Sequence, residues 1–211
     1  MIINKTLNHI FTSPSIIAVL RELEMRNTGV TGREIARTVN ISHRTALKAL
    51  DNLEALKLVT RRVAGKSYYF TLNRNQFLNK KIISVIFKSE REYKQSILDK
   101  IKTVKNDNVV SLIIFGSVAR KDETYESDLD LCIVYNKTKA GIEEKINILR
   151  DELYDEFGVT LAPFYITESN FKQKAKNLKP PVNNLINEGI VIWGKSINRI
   201  IHGKKNIETK H

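Results

Sequence analysis

The spacing of apolar positions predicts two helices near the start of the chain. In residues 14–27 apolar side chains recur every three or four positions, and Ser13 followed by Pro14 is typical of a helix start. Thr31 stands three residues before Glu34, which is the spacing of a capping box, and predicts a short helix that begins after Thr31. We therefore expect two helices at the front of the chain, joined by a turn.

A third helix and a β-hairpin follow in the pattern. Ser42 is predicted to cap a helix over residues 43–58, with leucines that can face a core at positions 47, 50, 53 and 56. Residues 59–63 and 67–72 are strand-like, and Ala64-Gly65-Lys66 between them predicts a hairpin with a basic tip. The predicted order is helix, helix, turn, helix and hairpin.

Residues 75–105 predict one or two helices that bridge the two halves of the chain. The first part is markedly apolar, and Tyr93, Ile97, Ile101 and Val104 continue at helical spacing on a charged background. Packing against the neighbouring domains of the same chain and packing against a second copy are equally compatible with this pattern. The bridge is therefore a candidate helix for a homodimer.

The second half of the chain reads as an alternation of strands and helices. Residues 109–115 and 131–135 are apolar runs of strand length, and residues 138–157 have the pattern of a long amphipathic helix. Residues 159–166 predict a third strand, in which Pro163 indicates an edge or a bulge. Together with the helical front half, this pattern predicts an α+β protein.

Charge is distributed unevenly along the 211 residues, whose net charge is +12. Residues 1–108 carry 20 Lys and Arg against 9 Asp and Glu, whereas residues 109–168 carry 6 against 12. Residues 169–211 return to a basic balance of 9 against 2. A basic front half is typical of proteins that bind nucleic acid, so we expect duplex DNA as a partner.

Composition excludes several classes of protein. Hydrophobic residues make up 42% of the chain, enough for a packed core, and the sequence contains no apolar stretch of membrane-span length. The N-terminus lacks a secretory pattern, and Cys132 is the only cysteine, so no disulfide can form within the chain. We expect a cytoplasmic protein without a membrane partner.

The segment between the strands at 109–115 and 131–135 carries the candidate chemistry. Gly116 has no Cβ, so the backbone there can approach a phosphate closely. Ser117 is predicted to cap a helix, whose free N–H groups favour an anion. Asp128 and Asp130 alternate along a predicted strand, so both side chains leave the same face. Two carboxylates on one face repel each other unless a cation such as Mg²⁺ lies between them.

The stretch GSVARKDETYESDLDLCIV resembles the active-site motif of the polymerase-beta-like nucleotidyltransferases, especially the small bacterial and archaeal members. The matching positions are Gly116, Ser117, Ala119, Arg120, Ser127, Asp128 and Asp130. Lys121 stands where a glycine is common in that family. The resemblance implies a small mixed-sheet fold, a nucleoside triphosphate as ligand and Mg²⁺ as cofactor.

Roles for individual residues follow from the same resemblance. Gly116, Ser117 and Arg120 would bind the nucleotide, and Asp128 and Asp130 would be catalytic and hold the metal.

A third metal-binding carboxylate of the family has no counterpart. It lies on the next strand, where alignment places Thr160, and a neutral hydroxyl is a poor substitute for a carboxylate. Glu156 and Glu168 are near in sequence, but neither falls on the expected strand position.

Residues 31–73 resemble the winged helix-turn-helix domains of bacterial and archaeal transcriptional regulators. The resemblance implies that the second helix of the motif enters the major groove and that the hairpin, or wing, reaches the backbone or minor groove. The predicted DNA-binding residues are Ser42, His43, Arg44, Thr45 and Lys48 on the helix, with Arg61, Arg62 and Lys66 on the wing. A winged helix used for protein contacts is the alternative.

Three segments are expected. Residues 1–74 form the winged helix, residues 75–105 the helical bridge and residues 106–211 the nucleotidyltransferase-like domain, with a basic, mobile tail from Lys195 on.

Two functions compete. One is an enzyme that transfers a nucleoside monophosphate to a protein, nucleic-acid or small-molecule acceptor. The other is a transcriptional regulator whose second domain is catalytically degenerate and senses a nucleotide or serves as an interaction module.

Overall fold

The structure is a computed structural model that describes residues 4–203. The chain divides after Glu92 into two compact units. Among the residues described, no helix is both long and apolar enough to cross a membrane.

The N-terminal unit has the order of a winged helix-turn-helix. Its elements are α1 (Leu7–Ile10), α2 (Pro14–Met25), β1 (Val30–Thr31), α3 (Gly32–Thr38), α4 (His43–Ala55), β2 (Val59–Ala64) and β3 (Ser67–Leu72). The strands form an antiparallel sheet in the order β1-β3-β2, in which β2 and β3 are the predicted hairpin. The short α1 and β1 were not predicted, because neither is long enough to show a periodic pattern.

The helix caps predicted in the N-terminal unit are confirmed. The side-chain oxygens of Ser13, Thr31 and Ser42 each accept a hydrogen bond from the backbone N–H three residues later. The helix that Ser42 opens is shorter than predicted, because α4 ends at Ala55 and Lys57 adopts a left-handed backbone with φ of 61°. The turn at Lys57 leads the chain into β2.

The core of the N-terminal unit lies between its helices and its sheet. Its fully buried side chains include Leu20 and Leu23 of α2, Leu50 and Leu53 of α4 and Phe70 of β3. Leu47 and Leu56, which were also expected to face the core, are partly buried against it.

The predicted bridge contains a π-helix, Asn79–Ile83, followed by α5 (Ser84–Lys102). Asn79 is fully buried, and its Nδ2 donates to the carbonyl oxygens of Leu58, at 2.7 Å, and Asn73, at 2.8 Å. Phe87 on α5 is buried in the N-terminal core, whereas Ile101 is buried in the core of the second unit. The two ends of the bridge therefore belong to the two units.

The C-terminal unit is built on a mixed sheet of four strands. After α5 come β4 (Val109–Phe115), α6 (Gly116–Arg120), β5 (Leu129–Tyr135), α7 (Ala140–Phe157), β6 (Leu161–Thr167), α8 (Glu168–Lys176), α9 (Val182–Glu188), β7 (Ile190–Gly194) and α10 (Ile197–His202). The strand order is β6-β5-β4-β7, in which only β5 and β6 are parallel. Pro163 lies in β6, an edge strand, as predicted.

Each face of this sheet packs against its own helices. On one face Leu131 and Ile133 pack in a cluster with Ile146 of α7, and on the other Cys132 and Val134 pack in a cluster with Phe171 of α8. Because side chains alternate along β5, Asp130 lies on the same side of the sheet as Cys132.

Residues 195–203 are not the mobile tail that was predicted from Lys195 on. Lys195 donates its backbone N–H to the carbonyl oxygen of Val110, and the buried Ile200 anchors α10. The start of a mobile tail at Lys195 is therefore wrong, and residues 204–211 lie outside the described part of the chain.

Candidate functional site

Gly116 joins β4 to α6 with a backbone that only glycine adopts readily. Its φ is 72°, and a Cβ added to it would collide with the carboxylate of Asp130. The missing side chain thus lets Asp130 lie directly against the loop. Antiparallel pairing of Phe115 with Asp130 places the loop and the carboxylate at the same end of two central strands.

Ser117 is not the cap of the following helix, contrary to prediction. The cap position of α6 is Phe115, whose side chain makes no capping hydrogen bond, and Ser117 is the second residue of the helix. Lys121 ends α6 in the left-handed conformation, with φ of 64°. A left-handed residue at this position explains why a glycine is favoured there.

The two aspartates differ in their positions. Asp130 lies within β5 and is half-buried, whereas Asp128 precedes the strand and is exposed. The expectation that both alternate along a strand is therefore wrong for Asp128. Ser127 fixes the turn before it, because its Oγ accepts from the N–H of Thr124 at 2.9 Å and its N–H donates to the Thr124 carbonyl at 3.1 Å.

Negative charge accumulates around Asp130. Burial raises the pKa of Asp130 above its usual value, and the nearby charges of Asp128 and Glu188 raise this pKa further, while Arg120 lowers it. An ionised Asp130 therefore lies in a partly desolvated place beside like charges, where a bound cation would stabilise it.

Arg120 is held by two carboxylates. Its Nε donates to Asp122 at 3.1 Å, and its Nη1 donates to both oxygens of Glu188, at 3.0 and 3.2 Å. The hydrogen bonds that Arg120 donates to Asp122 and, with a smaller effect, to Glu188 raise the pKa of Arg120. Glu188 also accepts the backbone N–H of Gly116 at 3.3 Å.

Glu188 is a site residue that sequence reasoning missed. It ends α9, far along the chain from the motif, and reaches the loop because β7 pairs with β4. The only sequence signal was an acidic residue just before the final apolar run.

The position opposite Asp130 on the next strand is Ala162, not Thr160. The parallel register pairs Asp130 with Ala162, and Thr160 lies just before β6. Thr160 is exposed and lines a cavity of about 310 Å³ together with residues of α7, among them Arg150 and Asp151. Thr160 is therefore not the register partner of Asp130, and the side chain of Ala162, which is that partner, cannot bind a metal. The assignment of Thr160 to the position of the family's third carboxylate stays a prediction.

The other two acidic candidates are paired with lysines. Glu156 accepts from Lys100 at 2.7 Å, and Glu168 accepts from Lys195 at 2.9 and 3.0 Å. Neither is available as a free third carboxylate.

Asp128 and Asp130 can supply only part of the coordination shell of Mg²⁺. Within residues 4–203 no group of three or more His, Cys, Asp and Glu side chains is arranged to hold a metal ion. Magnesium in proteins is commonly bound by one or two carboxylates together with substrate phosphates and water. Asp128 and Asp130 satisfy that requirement when a polyphosphate supplies the remaining oxygens.

In the N-terminal unit, α4 presents polar and basic side chains to solvent. His43, Arg44, Thr45 and Lys48 are exposed, while Ser42 is occupied as the helix cap, with its Oγ 2.8 Å from the Thr45 hydroxyl. Two grooves of about 560 Å³ each flank α4, and Arg44 and Lys48 line both.

The basic residues of the wing fall into two groups. The guanidinium of Arg61 is bonded to Glu54 at 2.9 Å, lies 3.6 Å from Asp51 and lies over the ring of Tyr68. Arg62 and Lys66 are exposed, and neither forms an ion pair with another residue of the described range. Arg61 thus ties the wing to α4, whereas Arg62 and Lys66 are available for other partners.

Comparison with known proteins identifies a domain in the second unit. Residues 99–198 match the family model described as Polymerase beta, Nucleotidyltransferase. A protein of Methanocaldococcus jannaschii, provisionally named as a protein adenylyltransferase, is 28% identical over 83 residues, which are 38% of this chain and 56% of that protein. The chain therefore spans just over half the length of this curated relative.

Solved structures show weaker likenesses. MepR, a transcription regulator of a Staphylococcus aureus multidrug efflux pump, is 22% identical over 46% of this chain and 71% of its own, with a TM-score of 0.36. A complex of a tri-AMPylated Shewanella oneidensis HEPN toxin with its MNT antitoxin matches at 13% identity over 48% of this chain and 73% of the matched chain, with a TM-score of 0.31. Scores this low establish no functional relationship.

The raised pKa of Asp130 makes the stability of the metal-free protein depend on pH. Because its folded pKa lies above its unfolded value, this carboxylate destabilises the fold once it ionises. We expect Asp130→Asn to raise the melting temperature at about pH 7, and the gain to vanish below about pH 4, where unfolded aspartate is also protonated. Thermal melts in a chelator would measure this effect. Asp122→Asn, which removes an exposed charge nearby, serves as the control, and a lower melting temperature of Asp130→Asn at neutral pH would contradict the analysis.

The strand register predicts where a third carboxylate would act. Ala162→Asp places a carboxylate beside Asp130, so it should lower the melting temperature of the metal-free protein and enlarge the stabilisation by Mg²⁺. Thr160→Asp is the matched control and should leave the magnesium-induced shift unchanged, because Thr160 lies before the strand. Differential scanning fluorimetry with and without Mg²⁺ tests both, and an equal magnesium-induced shift in the two variants would contradict the register.

Proposed function

We propose that this protein binds a nucleoside triphosphate with Mg²⁺ and transfers a nucleoside monophosphate to a protein acceptor, with release of pyrophosphate. The proposal starts from the C-terminal unit, which carries a polymerase-beta nucleotidyltransferase domain at residues 99–198. The observation that carries the proposal is that the Asp130 carboxylate lies directly against the backbone of Gly116, so that a metal-binding side chain and the glycine loop are adjacent. The M. jannaschii relative, provisionally named for protein adenylylation, favours a protein as the acceptor.

The proposed roles follow from the geometry. The Gly116 N–H and Arg120 contact the phosphates, with Ser117 beside them on α6, and Asp128 with Asp130 holds Mg²⁺. A bound magnesium ion supplies positive charge that stabilises the negative charge developing on the transferred phosphoryl group. Arg120 adds a second positive charge, which already acts on Asp130 and lowers its pKa.

A second candidate function is a regulator whose nucleotidyltransferase domain binds nucleotide without turnover. Ala162 opposite Asp130 favours this function, because the register partner of Asp130 has no side chain that could bind a metal. In that case the C-terminal unit senses a nucleotide or serves as an interaction module.

We also propose that the N-terminal unit binds duplex DNA through α4 and the wing. Arg44 and Lys48 are exposed on α4, and Arg62 and Lys66 are exposed on the wing without ion-pair partners among the residues described. Arg61 has a structural role in this proposal, because its charge is already neutralised by Glu54 and Asp51.

A homodimer through residues 75–105 remains part of this proposal. Phe77, Val85 and Ile86 are 69%, 52% and 40% exposed, so this segment presents apolar surface that a second copy would bury.

Nucleotide binding tests the proposed function directly. Calorimetry with ATP or GTP should give binding that depends on Mg²⁺ and is lost when Asp128→Asn and Asp130→Asn are combined, because the metal loses both of its protein ligands. Glu168→Gln, a carboxylate that is paired with lysines, is the control and should bind as the wild type does. Equal affinity in the double variant and the wild type would exclude this site.

Turnover separates the two candidate functions. Protein incubated with ATP labelled at the α-phosphate, Mg²⁺ and a cell extract should label a protein band if the domain is an active transferase. Nucleotide binding without any labelled product supports the sensing function instead.

Because Arg61 is paired with carboxylates and Arg62 is exposed, the two arginines should contribute differently to the salt dependence of DNA binding. Affinity for duplex DNA should fall steeply with salt, and Arg62→Ala should reduce the logarithmic slope by about one unit for a lost phosphate contact. Arg61→Ala should leave the slope nearly unchanged and lower thermal stability instead, since its partners are Glu54 and Asp51. Fluorescence anisotropy across a salt series measures the slope, and no DNA binding at low salt would refute the proposal.

A further inference from the structure

The Glu188 side chain accepts hydrogen bonds from the backbone N–H of Gly116 and from Arg120. In the proposed function these are the groups that bind the phosphates. Its Oε1 lies 3.3 Å from the backbone nitrogen of Gly116 and 3.0 Å from Nη1 of Arg120, and its Oε2 lies 3.2 Å from the same Nη1. A carboxylate and a phosphate both accept hydrogen bonds from N–H groups and guanidinium, so the two compete for these donors. The Glu188 side chain is only 20% exposed, so this arrangement is built into the site.

The backbone that carries Glu188 is held by packing on both sides of this residue. Leu185 of the same helix is fully buried, and the N–H of Gly189 donates to its carbonyl oxygen at 3.0 Å. A Cβ at Gly189 would collide with that carbonyl and approach Ile113 at 2.9 Å, so the chain packs tightly just beyond Glu188. A ligand that takes the place of Glu188 would therefore have to move this side chain against a backbone that is held by packing.

The charges around the loop favour displacement of Glu188 when a polyphosphate enters. Asp130 lies against Gly116, and the charges of Asp128 and Glu188 both contribute to the raised pKa of Asp130. A ligand that binds Arg120 and the loop can take over the hydrogen bonds of Glu188, and a second phosphate can reach the metal carried by the aspartates. A ligand with one phosphate gains only the first of these interactions.

We propose that Glu188 is an internal competitor for the phosphate position, which an incoming polyphosphate must displace from Gly116 and Arg120. The inference rests on the proposed nucleotide binding at this loop. Glu188 thereby lowers the affinity of the resting site for anions, so a ligand that gains only the first interaction binds weakly and a polyphosphate needs its second interaction to bind well.

The substitution Glu188→Gln keeps the size of the side chain and removes its charge. Calorimetry on the full chain, with ATP and Mg²⁺ and separately with inorganic pyrophosphate, should show binding about three- to tenfold tighter than in the wild type, the range expected for removal of a partly exposed, hydrogen-bonded ion pair. Glu188→Ala should shift the affinity in the same direction, which guards against an effect specific to glutamine.

The matched control is Asp122→Asn. It removes a carboxylate from the same arginine but leaves the Gly116 N–H occupied by Glu188. Binding should therefore be tighter in Glu188→Gln than in Asp122→Asn. Equal gains in the two variants would point to net charge alone and overturn the proposal, as would unchanged or weaker binding in Glu188→Gln.

The same titrations separate this inference from the proposed function. If the wild type binds ATP and Glu188→Gln binds no more tightly, only the competitor role fails. If no variant binds ATP or pyrophosphate, both fail. Binding by Glu188→Gln but not by the wild type would support the competitor role most directly.

Discussion

The site depends on the direct packing of the Asp130 carboxylate against the backbone of Gly116. This contact exists because Phe115 and Asp130 are register partners on adjacent strands and because residue 116 has no Cβ. Any larger residue at 116 would push the carboxylate away and would also strain a backbone at φ of 72°. The loop and the acidic strand are therefore one structural unit and not two separate motifs.

Asp130 is half-buried beside other negative charges, and two sources of positive charge can offset them. Arg120 lies between Asp122 and Glu188 and lowers the pKa of Asp130. The second source would be a divalent cation, which needs oxygen ligands beyond the two aspartates. The strand register places Ala162 beside Asp130, so the next strand supplies no further carboxylate there. In the proposed function a polyphosphate supplies the missing oxygens and takes the place of a carboxylate on Arg120.

The N-terminal unit divides its basic residues between structure and surface in a comparable way. Arg61 fastens the wing to α4 through Glu54, whereas Arg62 beside it on the same strand points its charge to solvent. Successive residues of a strand face opposite sides, so two adjacent arginines have different partners. A count of basic residues in the wing therefore overstates the charge that is available to DNA.

The features that were predictable from the chain alone are those whose hydrogen bonds are local. Ser13, Thr31 and Ser42 cap helices through N–H groups three residues away, and the apolar runs around Gly116 form the strands that their composition predicts. The likeness of the motif to a nucleotidyltransferase was also legible, because all of its residues lie within one short stretch.

Residues brought together by strand order and register could not be placed in this way. A shift of two residues decides whether Thr160 or Ala162 faces Asp130, and that register is set by the pairing of β5 with β6. Glu188 lies far along the chain from Gly116, yet it reaches the loop because β7 pairs with β4. Local propensity specified the elements, whereas nonlocal pairing decided which side chains share the site, because that pairing depends on the packing of the whole sheet.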